Sequence, residues 1–136
     1  METREIADRL RAFFDADDQG VLAVYLFGSA ARGTAGSASD VDVALLYADI
    51  PKTPSLDSIP LLLKGDLEEL LGSPVDIVVL NAASPDLCHR VFRDGIVIVD
   101  RDRRARLRFE VKRRNEYLDF LPVLQLYRRY PKPARA

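Results

Sequence analysis

Two aspartates one residue apart, Asp40 and Asp42, open the apolar run "DVDVALLY", and ten residues separate them from the pair Gly28-Ser29. Side chains at i and i+2 of a strand point to the same face, with Cβ atoms roughly 6–7 Å apart from the strand rise. That separation suits a shared divalent cation. Mg²⁺ is a hard ion that takes oxygen ligands and is held by one or two protein carboxylates plus substrate phosphates. Gly28 and Ser29 supply the complementary half, because glycine lets backbone approach a ligand closely and serine offers a hydroxyl and an N–H to a phosphate oxygen. Arg32 adds a charge-assisted contact, and the small residues of "GTAGSAS", 33–39, leave room for a triphosphate. A third acid, Asp76, interrupts the apolar run "VDIVVL". It is costly there unless paired. If its strand lies beside that of Asp40 and Asp42, it completes a three-carboxylate cluster able to hold two metals, the arrangement used in phosphoryl-type transfer.

Gly-Ser after a strand and Ser-Asp before one are each ordinary turn chemistry. The specificity lies in the two together at this spacing. Rival chemistries fail on the same letters. A calcium loop starting at Asp40 needs Gly at its sixth position and Glu at its twelfth, where Leu45 and Pro51 stand. A serine nucleophile at Ser29 needs a histidine base, and "FGSAARG" lacks the nucleophile-elbow spacing, with His89 the only histidine. Cys88 and His89 are neighbours on an expected helix and point in different directions. Cys88 reads as core and His89 as surface. A lone cysteine gives neither a disulfide framework nor a zinc-binding pair.

The elements that must position these residues read from periodicity. Ile6, Leu10, Phe13 and Phe14 predict a helix over 3–16, and "VLAVYLF", 21–27, a central strand buried on both faces and ended by Gly28. A second strand spans 40–47. "LDSIPLLLKGDLEELLG" predicts a helix weakened by Gly65, with Pro60 tolerable only near its start. A third strand covers 73–80. Ser84 as N-cap and Pro85 at the first helical position begin a helix that stops at Gly95. "IVIVD" is a fourth strand. From Arg101, the spacing of Phe109, Tyr117, Phe120, Leu121 and Leu124 predicts a long amphipathic helix that Pro122 kinks or splits. The fold class is α/β (α+β): a small mixed sheet of about four strands with helices packed on it.

A chain of 136 residues encloses one core. The expectation is a single domain over 1–130, with 131–136 a frayed tail. With 20 basic against 21 acidic residues there is no general nucleic-acid footprint. Residues 101–114, "RDRRARLRFEVKRR", are nevertheless crowded with Lys and Arg. They read first as a solvated helix face and second as a phosphate- or partner-binding one. No apolar run approaches a membrane span, and "METREIADRL" lacks an apolar signal core, which fits a cytosolic chain with no membrane partner.

Gly28-Ser29, ten residues, then Asp40-Val41-Asp42 resembles the signature of the nucleotidyltransferase superfamily that includes DNA polymerase β, with Asp76 as its third carboxylate. The resemblance is closest to the minimal nucleotidyltransferase branch, in length, in "GSAARG" and in the tail "FEVKRRNEYLDFLP". It implies the polymerase β-like nucleotidyltransferase fold, ATP as substrate, and Mg²⁺ on Asp40, Asp42 and Asp76. It further implies nucleotide contacts from Gly28 and Ser29, and a general-base role for Asp76. Many members of the branch resemble antitoxins that transfer AMP from ATP to a tyrosine of a HEPN-domain ribonuclease toxin. The expected partner is therefore a HEPN toxin, and direct nucleic-acid binding is not expected. The short chain leaves no walls for a small acceptor, which points the same way. Two alternatives stand beside protein adenylylation: a toxin-binding module with a vestigial nucleotide site, and transfer to a small molecule of aminoglycoside type.

Overall fold

The computed structural model describes residues 1–33, 40–48 and 59–129. The expected triphosphate space at 34–39 and the expected frayed tail at 131–136 lie outside these residues. In chain order the elements are α1 (Thr3–Ala16), β1 (Val21–Phe27), α2 (Gly28–Arg32), β2 (Val41–Tyr47), α3 (Ile59–Leu71), β3 (Val75–Val79), a 3₁₀ turn (Leu80–Ala82), α4 (Pro85–Asp94), β4 (Ile96–Asp100) and α5 (Arg103–Arg129).

The four strands form one mixed sheet in the order β3-β2-β1-β4. β1 runs antiparallel to both neighbours, and β2 runs parallel to β3. Strand alternation sorts side chains onto two cores. Val24, Leu26, Val43 and Leu45 meet Ile6, Leu10 and Phe14 of α1 and Leu63, Leu67 and Leu71 of α3. Ala23, Tyr25, Ala44 and Leu46 meet Cys88 and Val91 of α4, with Phe109 of α5 packed against them. β1, apolar throughout, is thus central and buried on both faces.

Local chemistry explains the boundaries. Ser84 caps α4 by accepting a hydrogen bond from the Leu87 N–H at 3.2 Å, Pro85 occupies the first turn, and Gly95 stands at the C-cap. Pro60 is the second residue of α3, where its missing N–H costs nothing. α2 departs from the expectation of a loop after Gly28, and Gly33 closes it in the left-handed region at φ 70°. Thr3 of α1 ties α2 down by donating its hydroxyl to the Ala30 carbonyl.

α5 departs from the expectation of a split: it is one helix with Pro122 inside it. It has no fully buried residue, and neighbouring Leu118 and Val123 are exposed, so water can take the carbonyl bond that proline forfeits. Phe109, Tyr117, Leu121 and Leu124 are half-buried, whereas Phe120 is exposed. A charged network locks the helix to the sheet. The buried Tyr25 hydroxyl donates to Glu110 at 2.7 Å, and Arg106 bonds Glu110 and Asp100, each at 2.9 Å. Burial, then the Glu110 carboxylate, push the Tyr25 phenol far up, so it stays a donor at every physiological pH.

Arg106→Ala leaves two carboxylates around a buried phenol without their cation. The expected cost is about 1–3 kcal/mol, seen as a Tm lowered by about 5–10 °C in thermal denaturation. A shift under about 1 °C would show that the network adds nothing to stability.

Candidate active site

The site begins where β1 ends. Phe27 pairs with Asp42 across the antiparallel β1–β2 ladder, so Gly28 arrives beside the Asp42 side chain. A Cβ built on Gly28 would stand 2.1 Å from Asp42 Oδ2, and the Gly28 φ of 70° lies in the left-handed region. No other residue fits both conditions. On the opposite edge of β2, the parallel register sets Asp42 directly against Asp76. Val41, Val43, Val75 and Ile77 turn toward the α1/α3 core. Asp42 and Asp76 therefore turn to the face that carries α4 and α5. Asp40 immediately precedes β2, exposed, as is Asp76, while Asp42 is half-buried.

The electrostatics follow from this convergence. The Asp42 carboxyl is raised above its ordinary value first by burial, then by the charges of Asp76 and Asp40, and Arg32 partly offsets these. The adjacency of β2 and β3, on which the role of Asp76 depends, is thus present. Among the described residues, however, no three His, Cys, Asp or Glu side chains are gathered closely enough to hold a metal ion. The three aspartates share an edge without closing into a ligand set. Their donor type fits a hard cation: carboxylate oxygens beside a backbone that only glycine brings so close. A cation there would also relieve the repulsion that Asp42 feels.

Ser29 lies in the first turn of α2, half-buried, and Arg32 in its last turn, exposed. One neighbour escaped sequence reasoning. Leu26 pairs with Ile96, which brings Asp94 and Gly95, at the end of α4, beside the end of β1. Asp94 accepts two hydrogen bonds from Arg93, at 3.0 and 2.9 Å. These hold its carboxyl below the ordinary range, with a smaller contribution from Arg32. The charge of Arg32 thus bears on both Asp42 and Asp94. Nothing in "FRDG" signals this, because the proximity depends on β4 pairing with β1. Of the residues set aside earlier, Cys88 is buried and its thiol is pushed up by burial. His89 is half-buried and stacks on Tyr117, ring centroids 4.0 Å apart, which refines the expectation of a plain surface histidine.

The family model for polymerase beta nucleotidyltransferases matches residues 9–104, a span holding Gly28, Ser29 and all three aspartates. The chain belongs to this nucleotidyltransferase family. Among curated relatives, this nucleotidyltransferase is 42% identical over 73 residues to the protein adenylyltransferase MntA of Shewanella oneidensis, covering 53% of this chain. The match spans 49%, about half, of that relative's length. It is 31% identical over 80 residues to a Methanocaldococcus jannaschii protein described as a candidate protein adenylyltransferase, covering 59% of this chain and 82% of that one. Among solved structures, it superposes with a TM-score of 0.75 at 28% identity on a chain of a toxin–antitoxin crystal structure containing AMP-PNP, covering 88% of this chain and 93% of that one. No helix among the described residues is long and apolar enough to cross a membrane.

Two predictions follow from the crowding at Asp42. Gly28→Ala strains φ and drives a methyl group into the carboxylate, so it costs about 1–3 kcal/mol, read as a lowered Tm in thermal denaturation. A wild-type Tm in that variant would contradict the close approach. Because the folded state keeps the Asp42 proton to higher pH than the unfolded chain, Asp42 costs nothing below the usual carboxylate range and lowers stability as pH rises through it. In Tm profiles across pH, Asp42→Asn should gain on wild type from about pH 4 upward and be the more stable at pH 7. A less stable variant at pH 7 would contradict the repulsion.

Proposed function

We propose that this chain is an antitoxin with protein adenylyltransferase activity, moving AMP from ATP to a tyrosine of a cognate HEPN-type ribonuclease toxin in the cytosol. The observation that carries the reading is the Asp42–Asp76 register with the Gly28 backbone pressed against Asp42. The named activity of the Shewanella relative and the toxin–antitoxin setting of the AMP-PNP structure support it.

Asp40, Asp42 and Asp76 are the residues that would hold Mg²⁺. When bound, the ion supplies charge neutralisation at the phosphates and at the developing negative charge of transfer. Gly28 offers unobstructed backbone to the triphosphate, Ser29 a hydroxyl and an N–H, and Arg32 a guanidinium at the mouth. The tyrosine phenol oxygen attacks the α-phosphorus, the bond to the bridging oxygen breaks, and pyrophosphate leaves with the electron pair. Asp76, exposed at the edge of the cluster, accepts the phenol proton. The second reading is neutralisation by binding alone, with a vestigial nucleotide site.

Incubation with α-labelled ATP, Mg²⁺ and a purified HEPN-type ribonuclease toxin tests the pair. Wild type should label the partner and add the mass of AMP to it, and Asp40→Ala/Asp42→Ala should lower the rate by about 100-fold or more. Equal labelling by the double variant would sink the enzyme reading. Full neutralisation by that variant, with no mass shift on the partner, would establish the second.

A further inference from the structure

The basic run at the start of α5 divides by face. Arg101 donates to the Phe14 carbonyl, Arg106 is held by Asp100 and Glu110, and Arg113 pairs with Glu116 and donates to the Asn81 carbonyl. These arginines are structural. Arg103, Arg104, Arg108 and Arg114 make no ion pair among the described residues. Arg104 and Arg108 stand four apart on the helix, as do Arg108 and Lys112. Like charges at that spacing oppose the helix that carries them, where alternating acids would have supported it. Between these cations, Leu107 and Val111 are 39% and 44% exposed, again four apart. A solvated face needs neither the unrelieved repulsion nor the apolar ridge.

On one side the ridge lies open, with Arg103, Arg104 and Arg108 bordering Leu107 and Val111 on a single face of α5. On the other, a hollow of about 310 Å³ is lined by Leu107, Val111 and Arg114 of α5 with His89, Phe92 and Arg93 of α4. Its single carboxylate, Glu110, is already engaged by Tyr25 and Arg106. This hollow reaches Arg93, whose neighbour Asp94 ends α4 beside the end of β1, on the sheet face to which Asp42 and Asp76 turn.

We propose that this ridge docks an acidic amphipathic helix of the acceptor protein, its apolar side on Leu107 and Val111 and its carboxylates against the flanking arginines. The proposal rests on the acceptor being a protein, and it assigns that protein a chemistry. The ridge sets aliphatic side chains between cations, which suits a helix with leucine anchors. Continuity with the face of the aspartates brings the bound partner to the site rather than behind it.

The test uses the full chain and fluorescence anisotropy of a labelled synthetic helix of about 18 residues, with leucines four apart and glutamates on both flanks. Controls are the same helix with serine for leucine, a lysine-flanked version, and a short single-stranded RNA. The acidic leucine helix should bind best, more weakly as salt is raised, and Leu107→Ser/Val111→Ser and Arg104→Glu/Arg108→Glu should each weaken it by about tenfold at unchanged Tm. Equal binding of the leucine-free helix, tighter binding of RNA, or affinities within about twofold of wild type in both variants would overturn the docking surface. AMP transfer to a purified HEPN-type toxin separates the two readings. The ridge variants should raise KM for that protein while kcat and AMP-PNP affinity hold. Loss of transfer in the aspartate variants reports on chemistry alone, and absence of transfer by wild type leaves the peptide result to decide the ridge.

Discussion

Gly28 and Asp42 meet where two antiparallel strands run out of ladder, and the distance between them tolerates no side chain on the first. Everything at the site inherits its position from this contact. β1 must end there, because a residue with a Cβ could neither adopt the left-handed turn nor clear the carboxylate. α2 must start there, which places Ser29 and Arg32 near the start of β2, and Thr3 ties the short helix to α1. The parallel β2–β3 pairing then adds Asp76 at no further conformational cost, since in-register parallel strands bring equivalent positions to the same end of the sheet.

The same contact carries an electrostatic penalty. A half-buried carboxylate flanked by two others is unfavourable in isolation, and among the described residues Arg32 reduces the repulsion on Asp42. Sites that bind polyphosphates through cations are built this way, with repulsion left in the protein for the ligand to relieve. Stability is supplied elsewhere. The α1/α3 core and the Tyr25–Glu110–Arg106–Asp100 network lie away from the aspartates, so the edge that carries strain does not also have to hold the layers together.

Much of this was legible in the residues, and what was not has physical reasons. β1 and β2 show as apolar runs because they are buried on both faces. α4 shows at both ends because Ser84, Pro85 and Gly95 act locally. The acid pair stood out because two carboxylates one residue apart at the start of an apolar run are not asked for by burial, although β2 itself begins at Val41, after Asp40. Three features were not. α2 has no periodicity to read in five residues, and its anchor, Thr3, lies 27 residues away. The approach of Asp94 to Arg32 depends on β4 joining the free edge of β1, a pairing that no local pattern encodes. The continuity of α5 through Pro122 depends on exposure, because a buried helix would have lost a hydrogen bond that water replaces here.

The division of the basic run shows why charge counts mislead where charge placement informs. Taken as a string, 101–114 is simply positive. Folded, it separates into arginines consumed by the body of the protein and arginines crowded around two exposed aliphatic side chains. The aspartate edge and this ridge then lie on one face of one sheet with opposite sign. An acidic edge repels a bare triphosphate and admits one whose charge a cation has already reduced. A basic ridge favours an acidic surface beside the aspartates and not upon them. Two ligands of like charge can therefore approach neighbouring places on a small domain without competing for the same surface, and Arg32, whose charge bears on both Asp42 and Asp94, belongs to both fields.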